Sequence, residues 1–184
     1  MSYQSMDKVL IVHPEAGMRD ALARRASGGI RACISEATNG AEALELDEVE
    51  AYDVVVAAVD LGDMTGMELS ARLRSSRRRP VILMGDHPTP GQVIEALRGG
   101  VADFLSTPID GGYFVRAVAR ALGREAARRR RGRRAARDRA LIRRVLEDRR
   151  QLNQRIELIC KDMVGAHRRL FHRVLAFQQI SRRG

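Results

Sequence analysis

A chain of 184 residues has room for one ordinary domain and an appendage, and 45% hydrophobic content excludes global disorder. Trp is absent and aromatics are only 4%, so any core must rest on aliphatic side chains. The net charge of +10 is unevenly spread: residues 1–122 hold 13 Lys and Arg against 17 Asp and Glu, and residues 123–184 hold 20 against 6, which points to two parts with different partners.

The N-terminal residues Met1–Lys8 have neither a basic n-region nor an apolar h-region, so no signal peptide is expected. The longest apolar run, Val54–Val59, falls far short of the roughly 20 residues a membrane span needs. A cytoplasmic protein with no membrane partner is the expectation. Cys33 and Cys160 lie far apart without CxxC spacing, which reads as buried or incidental thiols. Neither a metal site nor a cofactor is expected.

Up to residue 122, short apolar runs alternate with segments of helical period. The predicted strands are Lys8–Val12, Ile30–Ser35, Asp53–Val59, Pro80–Met84 and Ala102–Leu105. The predicted helices are Met18–Ala26, Ala41–Val49, Met67–Arg74, Gln92–Leu97 and a fifth from Tyr113 onward. Asn39-Gly40 supplies the turn opening the second helix, and Gly99-Gly100 closes the fourth. Strands that are apolar throughout, rather than alternating, belong to a parallel sheet covered on both faces. Right-handed crossovers then give a doubly wound, five-stranded α/β fold of the flavodoxin-like kind.

After Leu122 the composition changes abruptly. Eleven Arg face only Glu125 and Asp138 between Gly123 and Arg144. Residues 123–140 therefore read as an Arg-rich helical linker, and residues 141–184 as an amphipathic helix. Its apolar positions recur at steps of three and four through Leu152, Ile156, Ile159, Met163 and Leu170, a heptad-like seam interrupted by Arg149 and Arg173. Such a stripe cannot bury itself alone, which predicts a homodimer through a coiled coil or bundle. His167 and His172, five apart, share no helix face and make a poor metal pair.

Five segments in order resemble the receiver domain of bacterial response regulators: KVLIV followed by Glu15, Asn39–Leu44, YDVVV leading to Gly66–Leu69, Pro80–Met84, and the stretch EALRGGVADFL ending at Pro108. The resemblance covers residues 1–122 and implies a place in two-component, phosphorelay signalling. It also implies a reaction centre at the C-terminal ends of the strands. There, carboxylates after the first strand and an aspartate ending the third hold Mg²⁺. That aspartate is also the nucleophile, and a hydroxyl residue after the fourth strand and a Lys after the fifth contact the phosphoryl oxygens.

Carried over residue by residue, this chemistry is missing. His13 and Pro14 stand at the acidic pair, Ala58 at the nucleophile (eight before Gly66), Gly85 at the hydroxyl residue and Thr107 at the Lys. A methyl group cannot accept phosphate, so the chain reads as a pseudo-receiver. Asp60, two residues on, would share the sheet face but lack the acidic and Lys partners, and it reads as a loop carboxylate, as does Asp63.

The Arg run has three readings. It is a solvated helical link, a phosphate-binding surface for DNA or RNA through Arg128, Arg129, Arg130, Arg131, Arg133 and Arg134, or a dock for an acidic protein surface. No aromatic lies between Phe114 and Phe171 and no recognition motif is visible, so any nucleic-acid binding would be electrostatic. No nucleophile–base pair or phosphate loop survives, so the chain does not read as an enzyme. The sequence points to an atypical, phosphorylation-independent response regulator whose receiver engages another signalling protein. The alternative is a nucleic-acid-associated regulator.

Overall fold

The computed structural model describes residues 6–181, with side chains described for residues 6–165. Five strands and five helices alternate: β1 Asp7–Val12, α1 Ala16–Gly29, β2 Ala32–Ala37, α2 Gly40–Val49, β3 Val54–Ala58, α3 Gly66–Ser76, β4 Val81–Asp86, α4 Pro90–Arg98, β5 Asp103–Thr107 and α5 Gly111–Ser181. All strand pairs are parallel, in the order β2-β1-β3-β4-β5. The predicted five-stranded, doubly wound sheet is the observed one.

The strands are apolar throughout because both sheet faces are covered. Leu10, Val12, Val55, Ala57 and Leu83 point to one side, against Ala43, Leu69, Leu73 and Ala96 of α2, α3 and α4. Val9, Ile11, Val54, Val56, Ile82 and Met84 point to the other, against Leu22 and Ala26 of α1 and Phe114, Ala117, Val118 and Ala121 of α5. Each strand residue thus lands on a face by its parity, as the pleat requires.

Local chemistry sets the helix starts. The Asn39 side chain accepts from the Glu42 amide at 2.9 Å and opens α2. Thr65 with Glu68, and Thr89 with Gln92, form capping boxes at α3 and α4. One boundary differs from the expectation. Helix α1 continues through Gly28 and Gly29, with the Ile30 amide donating to the Ala26 carbonyl at 2.8 Å, which shifts β2 two residues later than expected. The chain forms two compact units, Met1–Arg129 and Arg130–Gly184.

Buried ion pairing explains why the first unit extends to Arg129. Asp53 and Glu125 are 5% and 4% exposed. Arg129 pairs with Asp53 and, at 3.1 Å, with Glu125, while the Lys8 amide donates to Asp53 at 2.9 Å. Arg128 also donates to Glu125, at 2.8 Å, and reaches the Arg78 carbonyl at 2.5 Å. Arg79 and Asp47 form a second buried pair. Cys33 and Cys160 are both exposed, so neither is a core thiol. Among the described residues no helix is long and apolar enough to cross a membrane.

Candidate functional site

Register fixes which residues meet at the C-terminal edge of the sheet. Val12 pairs with Ala57, Ala58 with Met84, and Asp86 with Thr107. Just beyond β1, the His13 amide donates to the Ala37 carbonyl at 3.1 Å. A cavity of about 730 Å³ opens at this edge, and His13, Pro14, Ala58, Gly85 and Thr107 all line it. The five positions assigned to a receiver's reaction centre therefore converge in space, although none carries the reactive group.

Each substitution is built into its surroundings. His13 Nδ1 accepts from the Glu15 amide at 3.0 Å, which requires an unprotonated nitrogen. Burial pushes the His13 imidazole below its ordinary pKa, in agreement with that neutral form. The Arg19 guanidinium donates to the His13 and Pro14 carbonyls at 2.8 and 3.0 Å and lies 3.5 Å from Glu36. It pins the β1–α1 loop in place. Thr107 donates its hydroxyl to Asp86. At Gly85 an added Cβ would lie 2.9 Å from Val59 Cγ2 and 3.4 Å from Phe104 Cζ, so Val59 would have to shift to admit a side chain there.

The two nearby aspartates are committed to the loop between β3 and α3. Asp60 lines the cavity, but one of its oxygens accepts from the Gly62 amide at 2.9 Å, two residues on. Asp63 is not among the lining residues. Its two oxygens accept from the Gly40 and Ala41 amides at 2.9 and 2.8 Å, tying the loop to the start of α2. The Gly40 amide, helped by that of Ala41, holds the Asp63 carboxyl below its ordinary pKa. Among the described residues no cluster of three His, Cys, Asp or Glu side chains is arranged to hold a metal ion.

Sequence reasoning missed most of the cavity wall. Met67 from α3, Gln92, Glu95 and Ala96 from α4, and Phe104 from β5 complete it. On α5, Arg128 and Arg129 are engaged within the first unit, whereas Arg130, Arg131, Arg133 and Arg134 are exposed and make no ion pair among the described residues. Leu152, Ile156, Ile159 and Met163 of the seam are each more than half exposed. The side chains of Leu170, His167, His172 and Arg173 lie outside the described residues.

The comparisons with known proteins match this geometry. The response regulator receiver domain family matches residues 9–119. The response regulator proteins FleR and PilR of Pseudomonas aeruginosa are 33% and 31% identical over 119 residues, 63% and 64% of this chain. The chain spans only 25% and 26% of their lengths. Among solved structures, the signal receiver domain of an HD domain-containing protein from Pseudomonas fluorescens superposes with a TM-score of 0.65 at 23% identity, covering 71% of this chain and 97% of that one. NtrX from Brucella abortus superposes at 0.64 with 22% identity, covering 69% and 29%. These structural likenesses are evidence of fold. The family match spans more than half the chain, and on it the protein belongs to the response regulator receiver domain family of two-component signalling.

Proposed function

We propose that this chain is a phosphorylation-independent response regulator. Its receiver is a protein-interaction module that performs no catalysis, and its C-terminal helix joins two copies. The observation that carries this reading is the cavity ringed by His13, Pro14, Ala58, Gly85 and Thr107, which holds no carboxylate at the nucleophile position and no Lys. Phosphoryl transfer needs a nucleophile and a counter-charge for the developing oxyanions, and a methyl group provides neither.

The dimer rests on the exposure of Leu152, Ile156, Ile159 and Met163, which repeat at steps of four, three and four. Burying such a stripe against a second copy removes apolar area from water at roughly 25 cal/mol per Å². Light scattering on the full chain tests it. The expected mass is that of two chains, falling to one in the double variant Ile156→Asp, Ile159→Asp. A single-chain mass at micromolar concentration for the unaltered protein overturns the dimer.

A second reading draws on the exposed Arg130, Arg131, Arg133 and Arg134, which make no ion pair among the described residues. They suit the phosphates of a nucleic acid, and log affinity for duplex DNA would then fall linearly with log salt, by about 0.9 per phosphate neutralised. Replacing these four with Ala would weaken all sequences equally. No binding at low salt excludes this reading.

A further inference from the structure

We propose that the cavity at the C-terminal edge of the sheet is a binding site for a small apolar molecule bearing an amine. The proposal rests on the reading that phosphotransfer has left this pocket. At about 730 Å³ the cavity has the size of a small-molecule site, which commonly spans about 300–1,000 Å³. Its wall is apolar: Met67, Leu83, Ala96 and Phe104 come from α3, β4, α4 and β5 and share one face of the sheet. A ligand body seated there would bury its surface against the Met67 thioether and the Phe104 ring.

The polar groups select the charge of that ligand. Glu15, Asp60, Asp86 and Glu95 line the cavity, and no Lys or Arg does. His13 adds no positive charge while its Nδ1 accepts from the Glu15 amide. Helix N-termini often attract anions. The starts of α3 and α4 are instead closed by their own capping boxes, Thr65 with Glu68 and Thr89 with Gln92, and α1, which has no side-chain cap, opens on the Glu15 carboxylate. An anionic head would meet four carboxylates and no counter-charge. An ammonium has Asp86 and Glu95 to receive it beside an apolar wall.

Three probes sharing one ring system test this on the full chain by amide NMR: 2-naphthylmethylamine, 2-naphthalenemethanol and 2-naphthoate. The amine should give saturable shifts at Gly85, Asp86, Ala96 and Phe104, the alcohol weaker ones and the carboxylate none. Asp86→Asn and Glu95→Gln, both on the exposed rim, should each weaken the amine by about tenfold, the worth of one charge-assisted hydrogen bond. Equal binding of the carboxylate, unchanged amine affinity in both variants, or no saturable shift at these amides with any probe overturns the proposal. Beryllofluoride with Mg²⁺ on the same sample tests the underlying reading separately. Shifts at Ala58 and Asp60 would sink that reading, whereas a silent beryllofluoride titration with a silent amine titration sinks the ligand alone.

Discussion

The carbonyl oxygen of Ala58 occupies the space that a side chain on Gly66 would need. The Leu83 side chain closes the same space, 2.8 Å from an added Cβ, and the Gly66 amide donates to the Val59 carbonyl at 2.8 Å. This contact clamps the loop from β3 to α3 and fixes Ala58, eight residues before Gly66, as the residue facing the cavity. Gly66→Ala must move backbone, not merely a flexible side chain. It is expected to destabilise the domain by about 1–3 kcal/mol, the usual cost of overpacking, read as a lowered urea midpoint. An unchanged midpoint contradicts the clamp.

Arg129 is the hinge of the buried network at the opposite edge. Among the described residues, Arg129→Ala leaves Asp53 with only the Lys8 amide, while Glu125 keeps Arg128. Because Arg129 is itself one-third exposed, the expected loss is about 1–3 kcal/mol, below that for a fully enclosed pair. Arg130→Ala, one residue on and exposed, should leave stability unchanged. Equal effects of the two substitutions contradict the network.

Two groups give acid sensitivity of defined sign. Burial alone would raise the Glu125 pKa, but bonds to Arg128 and Arg129 bring it below its ordinary value. Its contribution is present above the unfolded value of about 4.3 and is lost as pH falls through the lower folded value. His13, held low by burial, binds its proton more readily in the unfolded chain. Stability therefore declines as pH falls below about 6.5 toward the folded value. In His13→Asn the urea midpoint should lose its slope just below pH 6.5 and keep the decline near pH 4. A His13→Asn profile superimposable on the unaltered one counts against a neutral His13.

Much of the fold was legible because parallel strands covered on both faces must be apolar throughout, as Val54–Ala58 is. The reaction-centre positions were legible because each sits at a strand end, where spacing to a landmark such as Gly66 counts residues reliably. The start of β2 was misread because Gly28 and Gly29 look like a helix stop. Gly29 in fact lies against Val115, and α1 runs through Gly29. The rest of the cavity was hidden because Met67, Glu95 and Phe104 converge from three elements with no shared pattern. Arg129 was equally hidden: within a run of arginines nothing marks the one that meets Asp53, 76 residues away.

Loss of phosphotransfer is most directly tested by intact-protein mass spectrometry after incubation with acetyl phosphate and Mg²⁺. With Ala58 at the nucleophile position, and with Asp60 and Asp63 bonded to loop and helix amides, the mass should remain that of the unmodified chain. A phosphoryl adduct mapping to Asp60 or Asp63 would contradict the account.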